Sequence, residues 1–254
     1  MDIMGSLVIA FSMYSRIPMP RISWTPERMK YVMCFFPLIG AVMGLALYGF
    51  EKAAGALEIG MTAYCAGGTV LPLLITGGIH MDGFLDVSDA RCSLGEPEKK
   101  LEILKDPHIG AFAVIRGGIY LLLYLGVFSE LPRTRIAVMG AVYVMTRAMS
   151  ALALVTFPKA KKNGLAASFS GGARKGTVIF SMAGYIGGSL VFLVCHEGWL
   201  TGLLVGLAAG GMFWHYYRAA VKEFGGITGD LAGWFLQNGE LGLMAAAVAA
   251  GWIG

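Results

Sequence analysis

Residues 31–50 read YVMCFFPLIGAVMGLALYGF, twenty residues in a row without a charged side chain. A helix needs about 20 mostly apolar residues to cross the hydrocarbon of a bilayer, so this stretch predicts a membrane span. Pro37 and Gly40 predict a kink inside it, which neighbouring helices tolerate in lipid. Six further stretches have the same character: 60–79, 110–129, 136–157, 176–195, 199–217 and 235–254. The expected fold is all-α, a polytopic integral membrane helix bundle with about seven transmembrane helices, read as one domain over 1–254. Residues 3–14 are apolar but too short to span. They read as an interfacial or re-entrant segment, with Arg16 and Arg21 at the headgroups. No cleavable signal peptide is expected, because no basic segment precedes the first, short apolar stretch.

The composition agrees. The chain is 56% hydrophobic and 14% charged, with a mean hydropathy of +0.66. A water-soluble domain carries nearer a quarter charged residues. Its 37 glycines and 15 methionines suit closely packed membrane helices. A net charge of +4 is too small to argue for nucleic acid as a partner. The four cysteines, Cys34, Cys65, Cys92 and Cys195, are scattered singly, which argues against structural zinc or a disulfide framework.

Basic residues fall on alternate loops. Taking the segment before the first span as cytoplasmic, the loops on that side hold fifteen Lys and Arg. The other side holds only Lys52, Arg133 and Arg135. The excess predicts a cytoplasmic N-terminus in a multi-pass protein of the cell (inner) membrane. The loops on the basic side are also the long ones, and they carry nearly all the polar motifs. Any active site is therefore expected to face the cytoplasm.

The strongest motif lies at the end of the second span: His80-Met81-Asp82-Gly83-Phe84-Leu85-Asp86-Val87-Ser88-Asp89. If the helix continues, Asp82, Asp86 and Asp89 stand at i, i+4 and i+7, on one face. Like charges so placed repel unless a cation sits between them. Hard carboxylate oxygens suit Mg²⁺, which also holds substrate phosphates. A solvated helix end is the plainer reading, but Phe84, Leu85 and Val87 speak against it. Asp106, before Pro107 and His108, either adds a fourth carboxylate or caps the third span. Arg116 and Arg147 lie inside spans, where a charge usually faces the bundle interior. Each pairs with an acidic residue or meets a substrate phosphate. Lys161 and Lys162, in a loop with Asn163 and Gly164, can hold an anion or simply anchor the loop. Gly225-Gly226-Ile227-Thr228-Gly229-Asp230 is a glycine-rich turn opening a helix, suited to phosphate or to a plain interhelical turn. A solute transporter also fits intramembrane arginines. The aspartates, however, gather at one membrane face rather than the midplane, which favours an enzyme.

Several of these stretches resemble cobalamin synthase, the adenosylcobinamide-GDP ribazoletransferase family. Phe11-Ser12-Met13-Tyr14-Ser15-Arg16-Ile17-Pro18 and Phe36-Pro37-Leu38-Ile39-Gly40 are similar to its opening segments. Gly77-Gly78-Ile79-His80-Met81-Asp82-Gly83-Phe84-Leu85-Asp86 is similar to its H-x-D-G-x-x-D-x-x-D signature. Ile103 to Gly110 and Gly226 to Asp230 follow in the family's order. Ala90 stands where glycine is expected, and Trp234 and Gln237 where a small residue and an acid are. The resemblance implies that adenosylcobinamide-GDP and α-ribazole, or its 5′-phosphate, give adenosylcobalamin, or its phosphate, and GMP. It also implies Mg²⁺ as cofactor, and as partners the corrinoid nucleotide, α-ribazole and the lipid bilayer. A homo-oligomer is compatible with it. On this reading Asp82, Asp86 and Asp106 hold the metal. Asp82, Asp86, Asp89 and His80 form the catalytic set, with Asp89 as general base. Arg147, Lys161, Lys162, Gly229 and Asp230 bind substrate. The aspartates also resemble those of CDP-alcohol phosphotransferases, but that family's A-R and downstream G-x3-D-x3-D spacing is absent.

Overall fold

A computed structural model describes residues 2–93, 95–160 and 174–253. Lys161 and Lys162 lie outside the described residues. The elements are helices: α1 (Ile3–Tyr14), α2 (Pro26–Met29), α3 (Val32–Ala56), α4 (Met61–Thr76), α5 (Ile79–Cys92), α6 (Pro97–Ile103), α7 (Ala111–Glu130), α8 (Val138–Thr156), α9 (Lys175–Glu197), α10 (Trp199–Phe224) and α11 (Gly229–Ile253), with a 3₁₀ turn at Arg133–Arg135. The all-helical, multi-pass membrane fold is as expected.

Fewer than seven of the described helices qualify as spans by length and composition. Among the described residues four helices are long and apolar enough to cross: α3, α7, α8 and α9. A fifth arises only if α4 and α5 together count as one broken span. α10 and α11 are 26 and 25 residues long, about 37–39 Å at 1.5 Å per residue, so length is no obstacle. His215 and several glycines dilute the apolar character of α10; Gln237, Asn238 and Glu240 do so in α11.

Helix α8 is the hub. Nearly all its side chains are buried, and α3, α9 and α11 pack around it. Glycines set the closeness of the α3–α8 contact. A Cβ at Gly40 would stand 2.5 Å from the carbonyl oxygen of Tyr143, and one at Gly44 would collide with the Cα of Gly140. Small residues of this kind let membrane helices touch backbone to backbone. The outer helices turn apolar residues outward: Ile115, Ile119 and Leu122 on α7, Phe180 and Val191 on α9. Such faces belong against lipid. Helix α1, twelve residues long, packs on α3 and buries Val8, Ile9 and Phe11.

The decisive local feature is the α4–α5 junction. Gly77 and Gly78 both adopt left-handed backbone, with φ of +66° and +77°. The Gly78 N–H donates to Leu73 and the Gly77 N–H to Leu74, a glycine C-cap that satisfies the end of α4. Two successive left-handed residues then send α5 off at 96° to α4. The second predicted span, 60–79, thus stops at Thr76, and α5 runs across the spanning direction instead of prolonging it. The carboxylate face survives the break because Asp82, Asp86 and Asp89 all lie within α5.

Candidate active site at a glycine crossing

Helix α5 crosses the first turns of α11 at two glycines. A Cβ at Gly83 would sit 2.7 Å from the carbonyl oxygen of Asp230 and 2.8 Å from its Cα. One at Gly233 would sit 2.8 Å from the carbonyl oxygen of His80. The two backbones meet there with no side chain between them, and the contact brings Asp230 beside the α5 carboxylates. The start of α11 is itself well fixed. Thr228 caps it, accepting the Leu231 N–H at 3.1 Å. Ile227 N–H donates to the Pro158 carbonyl at 2.8 Å, pinning the turn to the end of α8. Gly226, at φ +152°, nests against Lys159 and Ala160, where a Cβ would overlap backbone. The glycine-rich turn therefore has a structural function, and it delivers Gly229 and Asp230 to the site.

Asp86 lies half-buried among these groups. Burial first, then the charges of Asp82, Asp230 and Asp89, push its carboxyl up to about 6. That is the signature of carboxylates crowded at one place. The crowd is Asp82, Asp86 and Asp230, and it excludes Asp106. Asp106 is exposed and turned onto its own loop, where it accepts the His108 backbone N–H at 3.0 Å and faces the ring Nδ1 at 2.7 Å. These hydrogen bonds hold its carboxyl below the usual range. Sequence spacing cannot tell which distant acid joins a cluster; the glycine crossing selects Asp230.

Asp89 also differs from expectation. Its two oxygens accept the backbone N–H groups of Gly110, at 2.7 Å, and Ala113, at 2.8 Å. It thus caps the start of α7 from another helix, a favourable place for a carboxylate. The cap expected of Asp106 is supplied by Asp89.

His80 is 4% exposed and packs against the paired rings of Tyr14 and Phe36, at centroid distances of 6.1 and 5.8 Å. Its Nε2 is buried without a hydrogen-bond partner. Burial and the nearby Arg147 hold the imidazole well below its ordinary value, so it is neutral. Beside it lies a cavity of about 250 Å³, with Asp82, Gly229 and Asp230 among its lining. The rest of the wall is largely apolar and comes from α1, α3, α5, α8 and α11. Sequence reading missed these wall residues, because scattered apolar side chains carry no local pattern that marks them as a cavity.

The two arginines part ways. Arg147 is fully buried and donates from Nη1 to Glu240 at 2.8 Å and to the Tyr143 carbonyl at 3.1 Å. It is an internal ion pair between α8 and α11 and does not line the cavity. Arg116 is exposed, so it does not turn to the bundle interior. It sits about a turn and a half into α7, near enough to the end for its head to reach the interface. Trp234, where a small residue was expected, lies beneath the Arg91 guanidinium at 4.8 Å. Arg91 in turn makes two 2.9 Å hydrogen bonds to Glu223, so the larger residue ties α5, α10 and α11 together. Gln237 is buried with its Oε1 unpartnered.

Among the described residues no three acidic, histidine or cysteine side chains converge tightly enough to enclose a metal as they stand. The donor set nevertheless fits a hard cation that keeps waters and takes substrate oxygens, for which one or two carboxylates suffice. The crowding at Asp86 is the kind a cation relieves.

Residues 6–248 match the family model described as cobalamin-5-phosphate synthase, CobS. An adenosylcobinamide-GDP ribazoletransferase of Lachnoclostridium phytofermentans is 45% identical over 94% of this chain and 91% of its own length. Relatives of the same name are similar too. That of Clostridium botulinum strain Alaska E43 is 31% identical over 97% of this chain and 98% of its own. That of Clostridium perfringens strain SM101 is 31% identical over 90% and 91%. No solved structure matches the chain.

Proposed function

This chain belongs to the cobalamin-5-phosphate synthase (CobS) family, and from that premise we propose that the carboxylate cluster at the α5–α11 crossing carries its chemistry. The chain is an enzyme of the final step of cobalamin synthesis. It transfers the adenosylcobinamide phosphate of adenosylcobinamide-GDP to ribazole. A ribose hydroxyl of ribazole attacks the phosphorus that bears the cobinamide. The new P–O bond forms as the pyrophosphate P–O bond breaks, GMP leaves, and the hydroxyl proton is released. Such a reaction needs positioning and charge neutralisation more than covalent catalysis.

The observation that carries this reading is the backbone contact of α5 with α11 at Gly83 and Asp230, with Asp82 and Asp230 lining one cavity beside it. Asp86 and Asp82 would hold Mg²⁺. When bound, the ion neutralises charge on the pyrophosphate and on the leaving GMP. Asp230, which lines the cavity together with Asp82, would take the hydroxyl proton. Asp89, with both oxygens on the α7 start, keeps α7 in register with α5. Counted over the seven stretches read from the sequence, the excess of basic residues on alternate loops favours a cytoplasmic face for the site.

One experiment tests reaction, metal and orientation together. Membrane vesicles with the cytoplasmic face outward should release GMP from added adenosylcobinamide-GDP and α-ribazole with Mg²⁺, and stop in EDTA. Right-side-out vesicles should release none. Metal-independent release would remove the metal site. Release only from right-side-out vesicles would invert the topology.

The crossing itself is open to test. Gly83→Ala places a methyl group against Asp230 backbone, which has no flexible end to yield. It is expected to cut GMP release at least about ten-fold by shifting Asp230, since misplacements of about 1 Å can cost far more. Unchanged turnover in that variant would show that the closeness of α5 and α11 is incidental.

A further inference from the structure

The CobS-type reaction brings together two substrates of very different size and polarity, and the cavity beside His80 suits only one of them. Resting on the transferase reading, we propose that the cavity is the seat of the aromatic base of the ribazole acceptor, with His80 as its polar contact. Three observations support this. The cavity holds about 250 Å³, room for a nucleoside and far too little for a corrin ring. Its wall is mostly apolar, with Met13, Met33, Phe36 and Leu154 among the lining. Finally, His80 lines it with a buried Nε2 that has no partner in the protein.

The chemistry separates the candidates. Guanine presents donors and acceptors on several edges, and burying them against Met, Phe and Leu without partners is costly. Ribazole carries a dimethyl-substituted benzimidazole, a flat apolar bicycle with a single free ring nitrogen. An imidazole that donates from Nε2 satisfies that nitrogen, and the base in return satisfies the orphaned Nε2. The paired rings of Tyr14 and Phe36 pack against His80 and restrict its orientation. With the base seated here, the ribose lies toward Asp82, Gly229 and Asp230, where its hydroxyl must react. His80 is on this view a positioning residue for the acceptor.

The test uses full-length enzyme in vesicles. Ala151 lines the cavity and is fully buried, so Ala151→Leu takes up part of its space. The expected result is a rise of about ten-fold or more in KM for α-ribazole, with KM for adenosylcobinamide-GDP and kcat at saturating ribazole little changed. His80→Ala should show the same split, and His80→Gln, which keeps a donor, should recover part of it. In the wild-type enzyme 5,6-dimethylbenzimidazole should inhibit competitively against α-ribazole and not against the corrinoid nucleotide, which covers the case of a variant that fails to fold. An unchanged ribazole KM in Ala151→Leu, a raised KM for the corrinoid nucleotide alone, or no competition by the free base would overturn the assignment while leaving the transferase in place. A wild-type enzyme that released no GMP at all would bring down both.

Discussion

Asp86→Asn should lower GMP release by about 10²–10³-fold, the usual loss when one preorganised electrostatic element of an active site is removed, while the folded protein holds or gains stability. The two effects have a common origin. Asp86 is half-buried with Asp82, Asp230 and Asp89 acting on it, and its carboxyl stands at about 6 against an ordinary 3.8. A carboxyl raised on folding binds its proton more tightly in the folded state. Ionising it as pH rises from about 4 through 6 therefore costs stability. Asparagine has the same shape and never pays that cost. Catalysis loses because the cation loses a charged ligand. The check is GMP release with Mg²⁺ beside a thermal transition measured in EDTA, where no bound ion offsets the repulsion. Full turnover in the variant would remove Asp86 from the site. A collapse in stability would show that its carboxylate is structural, like that of Asp89.

The second large effect is expected at Arg147. Its guanidinium and the Glu240 carboxylate are almost wholly out of contact with solvent and 2.8 Å apart. Removing one member strands the other, which costs about 3–5 kcal/mol, whereas replacing both by apolar residues is often neutral or stabilising. Arg147→Met should therefore shift the midpoint of SDS-induced unfolding strongly. The double variant R147M/E240L should restore most of it. The double variant also decides what Arg147 is for. If it releases GMP at near the parent rate, Arg147 serves only to join α8 to α11. If it refolds but is inactive, Arg147 reaches substrate phosphate in a conformation other than this one.

Helical character, membrane residence and the acidic motif were legible in the chain itself. Their causes are local: a run such as 31–50 has no charge to place, and Asp82, Asp86 and Asp89 share a helix whose period sets their spacing. The double glycine at 77–78 was visible too. Its consequence was not, because a pair of glycines permits left-handed backbone without requiring it, and only the packing of α5 across α11 selects the 96° turn. The partner of the acidic motif was likewise out of reach. Asp106 is 20 residues from Asp86 in sequence and Asp230 is 144 away. Which of them meets Asp86 depends on Gly83 and Gly233 letting two backbones touch, a contact between elements far apart in the chain. The same holds for Asp89, recruited to cap α7, and for the cavity, whose wall comes from five helices. Periodicity governs what one helix presents; the choice of what faces it belongs to close packing, and in this protein glycine decides where that packing is closest.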